Sequence, residues 1–245
     1  MRKFGLIGYP LSHSFSPAFF TEKFNREGHL DCFYNAYPLP SINDLPALLE
    51  DPQLQGLNVT IPYKKSVIPF LDAKTEAVDK MAACNCIKIK EGKLVGYNTD
   101  VVGFEKSLLP LLSDQHAKAL ILGTGGAAAA VEFVLKKLAI LYLFVSRNQS
   151  NETDHIIYPD IKKEVMDDYK LIINTTPLGM YPAVNDCPDI PYEFLTDDHY
   201  LYDLVYNPAE TLFLKKGAEK GAIIKNGSDM LVIQAEESWK IWNED

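Results

Sequence analysis

Lys118-Ala119-Leu120-Ile121-Leu122-Gly123-Thr124-Gly125-Gly126-Ala127 carries the clearest local signal in this chain. The apolar run after Lys118 suits a buried strand, and the alanine-rich stretch that continues to about Leu138 suits a helix. A strand, a glycine-rich turn and a helix in that order are the context that a dinucleotide-binding loop requires. Gly123 permits the tight turn, Gly125 lets the main chain approach a pyrophosphate, and Ala127 through Ala130 let the helix lie close to the sheet. The anion would rest on amides at the helix N-terminus, where the dipole favours negative charge. A purely structural glycine turn is the competing reading, and the flanking strand and helix weigh against it.

The next strand, Ile140 to Val145, ends in Ser146-Arg147-Asn148. An NAD site would usually offer an acid to the ribose hydroxyls there; this chain offers Arg147, whose guanidinium matches a 2′-phosphate through forked, charge-assisted hydrogen bonds. NADP is therefore expected over NAD. Two more buried strands follow, Tyr169 to Asn174 and Tyr200 to Val205, the second leaving through Tyr206-Asn207-Pro208. A helix from Thr211 towards Gly221, a strand at Ala222 to Ile224 and a last helix from Ser228 to about Trp242 complete this half. The helical spacing of Leu231, Ala235, Trp239 and Trp242 makes the tryptophans packing residues.

The first half repeats the alternation. Lys3 to Gly8 reads as a strand, with Ser16 as N-cap and Pro17 as first residue of a helix to about Gly28. Cys32 to Tyr37 is a second strand, and Ser41 opens a capping box. Gln55 to Thr60 is a third strand, after which Pro62 has the fixed φ suited to a helix's first turn. A short helix to Met81 and a hairpin across Glu91-Gly92 then deliver Gly96-Tyr97-Asn98-Thr99-Asp100 and a helix from about Val101 to Leu112. This order marks an α/β chain with mainly parallel sheets covered by helices. A domain boundary is expected near the helix from Val101 to Leu112.

Composition narrows the function. The length of 245 residues with 47% hydrophobic content suits an enzyme-sized globular protein, and a net charge of -9 argues against a general nucleic-acid binder. No stretch approaches a membrane span, and the opening residues are too short and strand-like for a signal peptide, so the chain reads as cytoplasmic. Cys32, Cys84, Cys86 and Cys187 show neither disulfide-scaffold density nor zinc spacing, and His29, His116, His155 and His199 fall in no metal or triad motif. No metal is expected.

Taken together, Ser14-Phe15-Ser16-Pro17, Asn58-Val59-Thr60-Ile61-Pro62-Tyr63-Lys64, Gly96-Tyr97-Asn98-Thr99-Asp100, Gly123-Thr124-Gly125-Gly126-Ala127, Tyr206-Asn207-Pro208 and Met230-Leu231-Val232-Ile233-Gln234-Ala235 resemble the signature set of the shikimate dehydrogenase family, in order over nearly the whole chain. The resemblance implies a substrate domain of residues 1–101 with 228–245, the last helix returning to it, a Rossmann-like NADP(H)-binding domain of residues 102–227, and interconversion of 3-dehydroshikimate and shikimate. It implies Lys64 and Asp100 as the catalytic pair, and Ser14 and Ser16 as ligands of the substrate carboxylate. Thr60, Asn85, Asp100 and Gln234 would bind ring hydroxyls, with Tyr206 near the substrate and Gly227 and Met230 near the nicotinamide. Gly123, Thr124, Gly125, Gly126, Ala127 and Arg147 would hold the rest of the cofactor. The partner is a small molecule, and the enzyme a monomer or homodimer. Departures concentrate around Arg147: Asn151 stands where a second arginine often helps hold the 2′-phosphate, and the segment Asn148 to Asp168 is shortened. Two other readings are a quinate/shikimate dehydrogenase using NAD, for which an acid close after Arg147 is missing, and a non-catalytic ligand sensor, which would have lost Lys64 or Asp100.

Overall fold

Among the described residues, the strands fall into two six-stranded sheets. The computed structural model describes residues 1–11 and 14–244; Ser12 and His13 of the serine-bearing loop, and Asp245, lie outside the described residues. The chain divides into two compact units, Met1–Gly103 with Leu231–Asp245, and Phe104–Met230.

The first sheet holds β1 (Arg2–Gly8), β2 (Cys32–Pro38), β3 (Leu54–Val59), β4 (Ala73–Lys74), β5 (Cys86–Lys90) and β6 (Lys93–Tyr97) in the order β2-β1-β3-β5-β6-β4. Strands β2, β1 and β3 run parallel, while β5 joins β3 antiparallel and turns back into β6. Glu91 and Gly92 take φ values of 53° and 76°, the left-handed pair that a tight two-residue hairpin turn demands. The accompanying helices are α1 (Phe15–Glu27), α2 (Leu45–Leu48) and α3 (Glu76–Met81), and α4 (Thr99–Leu108) begins in this unit and ends in the other.

The second sheet holds β7 (Lys118–Leu122), β8 (Leu141–Ser146), β9 (His155–Ile157), β10 (Leu171–Asn174), β11 (Tyr200–Asp203) and β12 (Ile223–Lys225). Its order, β12-β11-β10-β7-β8-β9, is parallel throughout. That is the doubly wound arrangement of a Rossmann domain, and the strand order reverses between β7 and β10, where such sheets bind their ligands. Helices α5 (Gly126–Lys137), α6 (Lys163–Asp168) and α7 (Leu212–Ala218) accompany it. Leu120, Ile172 and Leu201 are fully buried, in keeping with strands covered on both faces.

The last helix, α8 (Ser228–Asn243), carries Trp242, which packs on the first sheet. Its ring stacks on Phe4 at 4.8 Å and its Nε1 donates to the Ile87 carbonyl at 3.0 Å. Gly56 makes room for it: a Cβ there would lie 2.3 Å from the indole nitrogen. Burying an aromatic of this size stabilises the fold by roughly 4 kcal/mol, so the return of the C-terminal helix is held by substantial packing.

Two local expectations need correction, and two short elements leave no trace in the sequence. Helix α1 starts earlier, with Ser14 rather than Ser16 as N-cap, and the Ser14 hydroxyl makes no capping bond. No α-helix follows Pro62; residues 61–67 form turns. The reason lies in a tertiary bond, since the Lys64 carbonyl accepts from Cys84 N at 2.8 Å and Ile68 N turns to Lys65 instead. Finally, β9 and α6 lie in the segment from Asn148 to Asp168, each too short for a hydrophobic period to show in the sequence.

Candidate active site

Lys64 and Asp100 reach each other from different elements. Lys64 sits in the turn after β3, fixed on one side by buried Tyr63 and on the other by its carbonyl bond to Cys84. Asp100 lies in the first turn of α4, where Asn98 Oδ1 accepts from the Asp100 and Val101 amides at 3.1 and 3.4 Å. An Asx cap of this kind explains why the helix begins here. Lys64 Nζ and Asp100 Oδ2 are 2.7 Å apart, with side chains 33% and 17% exposed, so the ammonium is held in place yet reachable.

Asn85 forms a hub beside this pair. Its main chain bridges two strands, with Val59 N donating to its carbonyl at 2.8 Å and its own amide donating to Tyr97 O at 3.1 Å. Its side-chain Oδ1 accepts from Thr99 N at 2.6 Å, and its Nδ2 donates to Gln234 Oε1 at 3.3 Å. Behind it runs a buried polar chain. Tyr34 OH donates to Asn58 Oδ1 at 2.8 Å, Asn58 Nδ2 donates to Ser238 Oγ at 2.9 Å, and Ser238 Oγ donates to the Gln234 carbonyl at 2.9 Å. Burial pushes the Tyr34 phenol well above its usual range, so it stays a neutral donor. Cys84 and Cys86 are buried thiols, pushed up to about 11 and higher still by desolvation, and are inert packing groups.

Ser14 and Thr60 leave adjacent parallel strands. Tyr9 N donates to Ile61 O at 3.1 Å, tying together the exits of β1 and β3. The Thr60 methyl lies over Gly8, where a Cβ would approach it to 2.5 Å. Ser14, Ser16 and Thr60 are all half-buried.

In the second unit, a cavity of about 650 Å³ opens at the switch point of the parallel sheet. Gly123 takes φ 102°, and a Cβ there would meet Thr175 Oγ1 at 2.9 Å. Cβ atoms on Gly125 and Gly126 would meet nothing, so the loop leaves an open cradle at the start of α5. No side chain caps that helix, which leaves its first amides as donors for a ligand. Arg147, at the exit of β8, lines the same cavity and forms no ion pair among the described residues. A dinucleotide phosphate fits this donor set: uncapped amides, an open glycine cradle and a guanidinium. Thr175 and Thr176 also line the cavity, and behind them buried Asn174 Oδ1 accepts from Thr176 N at 3.0 Å and Thr176 Oγ1 at 2.6 Å. Asn174 in turn donates to Asp203 Oδ1 at 2.9 Å. Asp203 is fully buried and also accepts from Thr211 Oγ1 at 2.6 Å and Val205 N at 3.0 Å. Desolvation outweighs those bonds and pushes its carboxyl up to about 6.

Tyr206, Gly227 and Met230 are not among the residues lining that cavity. Tyr206 follows β11 with 40% of its surface exposed, and Met230 is half-buried in α8. Gly227 admits no side chain, since a Cβ would lie 2.3 Å from the Leu204 carbonyl oxygen. Among the described residues, Glu152, Asp154 and His155 could jointly reach a metal ion, but the imidazole already bonds Asp154 and stacks on Phe144 at 4.8 Å. Sequence reading missed Asn58, Ser238 and Tyr34, which are widely separated in the chain. It also passed over Asn98, although an Asn just before a helix start is a legible cap.

Comparison with known proteins agrees with this geometry. The family model for the shikimate dehydrogenase substrate binding domain matches residues 6–87. A shikimate dehydrogenase (NADP(+)) of Staphylococcus aureus strain Newman is 37% identical over 250 residues, covering 98% of this chain and 92% of that protein. The enzyme of the same name from Caldicellulosiruptor saccharolyticus is 35% identical over 258 residues, covering 99% and 92%. The crystal structure of shikimate 5-dehydrogenase from Thermus thermophilus in complex with NADP(H) and shikimate matches with a TM-score of 0.84 at 29% identity, over 99% of this chain and 94% of that one. No helix among the described residues is long and apolar enough to cross a membrane.

Proposed function

The chain belongs to the shikimate dehydrogenase family, and from that membership we propose that it catalyses the reversible NADPH-dependent reduction of 3-dehydroshikimate to shikimate. The observation that carries the reading is the Lys64–Asp100 pair at 2.7 Å, set beside the Asn85–Gln234 contact. A ligand sensor that had abandoned catalysis would have no need of an accessible ammonium held by a carboxylate.

Bound NADPH supplies the hydride that reduces the ring carbonyl. As negative charge grows on the carbonyl oxygen, Lys64 Nζ donates a hydrogen bond to it and then a proton. In the oxidative direction Lys64 accepts the proton of the same hydroxyl. Asp100 fixes the ammonium and accepts from a ring hydroxyl. Asn85, Gln234 and Thr60 bind the remaining ring oxygens, and the buried chain through Asn58 and Ser238 holds Asn85 and Gln234 in a single arrangement. Ser14 and Ser16 bind the substrate carboxylate, supplying donors without adding charge. Tyr206 is a further substrate-binding residue.

Gly123, Thr124, Gly125, Gly126 and Ala127 hold the pyrophosphate, and Arg147 the 2′-phosphate, with Gly227 and Met230 near the nicotinamide. Residues 1–101 and 228–245 thus serve as substrate domain, and residues 102–227 as cofactor domain. The enzyme acts in the cytoplasm as a monomer or homodimer. The test is an absorbance assay of nicotinamide reduction with purified protein, crossing shikimate and quinate with NADP⁺ and NAD⁺. Turnover of shikimate with NADP⁺ is the expected result; no turnover in any combination overturns the reading.

A further inference from the structure

Among the described residues that line the cofactor cavity, only Arg147 and Asp189 are charged. They arrive from different parts of the chain. Arg147 leaves the end of β8, whereas Asp189 sits on the long connection between β10 and β11. That connection is pinned at this point: Pro188 and Ile190 on either side of Asp189 are buried, Ile190 N donates to Pro188 O at 3.0 Å, and Tyr192 OH donates to the same carbonyl at 2.8 Å. Asp189 itself is exposed, so its carboxylate stands on a fixed stretch of the cavity wall rather than on a free loop. Tyr158, another wall residue, feels both charges: burial raises its phenol, Arg147 opposes that rise and Asp189 adds to it. The two charges therefore act on the same region of the cavity.

We propose that Asp189 is a second determinant of cofactor choice, its carboxylate opposing the 2′-phosphate that Arg147 attracts and offering an acceptor to an unphosphorylated ribose. This inference rests on the cavity being the dinucleotide site. The sequence near Arg147 lacks the acid typical of an NAD site, and the fold supplies one from the facing connection. A carboxylate and a phosphate dianion across such a cavity, screened as at a protein surface, repel enough to change affinity roughly fivefold. Discrimination by this chain is thus weaker than Arg147 alone would give.

Calorimetric titration of the full chain with 2′,5′-ADP and with 5′-AMP reads the preference without turnover. Asp189→Asn is expected to raise the affinity ratio of 2′,5′-ADP over 5′-AMP about fivefold. Asp189→Glu, which keeps the charge, and Asp186→Asn, which removes a nearby charge outside the cavity wall, should each leave the ratio within about twofold. Arg147→Ala should lower it by about tenfold or more. If Asp189→Asn leaves the ratio unchanged while Arg147→Ala lowers it, the role of Asp189 is refuted and the cofactor site stands. An equal rise in Asp189→Glu also refutes it, because the effect would not be one of charge. Failure of both nucleotides to bind the unaltered chain overturns this proposal together with the cofactor site.

Discussion

Replacing Asp203 by Asn should change how the stability of the protein depends on pH. Asp203 is fully buried, with Asn174, Val205 and Thr211 all donating to it, and its carboxyl is pushed up to about 6 from the ordinary value of 3.8 because desolvation outweighs those bonds. Raised in the folded state, this group favours folding fully below pH 3.8, and that contribution is lost as pH rises through about 6. A shift of that size corresponds to roughly 3 kcal/mol. Asn has nearly the same shape and no charge to desolvate. It can still accept from Asn174 and Val205, while its amide donates to Thr211 Oγ1, which orphans the threonine proton and costs about 1 kcal/mol at every pH. Urea unfolding of both proteins at pH 4 and pH 7 isolates the group, because all other titrations cancel in the difference. Relative to the parent, Asp203→Asn should gain roughly 2 kcal/mol on going from pH 4 to pH 7, most of the full shift. A difference that is flat between those pH values, or that moves the other way, would refute the balance of burial over hydrogen bonding.

Two other substitutions probe the two sites. Gly125→Ala adds a Cβ into open space at a φ of -79°, so thermal unfolding should shift little while NADPH binding, followed by fluorescence, weakens by roughly tenfold. Asn58→Ala strips Tyr34 OH and Ser238 Oγ of a buried partner, which should destabilise the chain by about 2–4 kcal/mol and raise the KM for shikimate through loosened Asn85 and Gln234. Unchanged stability would mean that water or another group replaces the amide.

The parts of the fold that rest on local chemistry were legible in the sequence. Lys118 through Ala127 could be read as strand, turn and helix because its strand is continuously apolar and its turn needs a left-handed glycine at 123. Likewise Glu91-Gly92 announced a hairpin. Tertiary demands were not legible. The Lys64 carbonyl is taken by Cys84, and nothing near Pro62 signals that the helix will be replaced by turns. The Asn58–Ser238 bond spans 180 positions, and a buried polar pair so far apart leaves no periodic trace. Asp189 resembles any surface acid until the connection after β10 brings it to the wall that Arg147 lines. Residue types at the catalytic pair could be recognised, whereas the supporting bonds that aim them belong to the folded chain alone.

Lys64 handles the proton while other groups bind the substrate, and Lys64→Met tests this most directly. Steady-state oxidation of shikimate by NADP⁺, with shikimate affinity measured separately by calorimetry, should show kcat lowered by about 10²–10⁴ and Kd changed by less than about threefold. If kcat is preserved and only shikimate affinity falls, Lys64 is a binding residue and the proposed proton transfer is wrong.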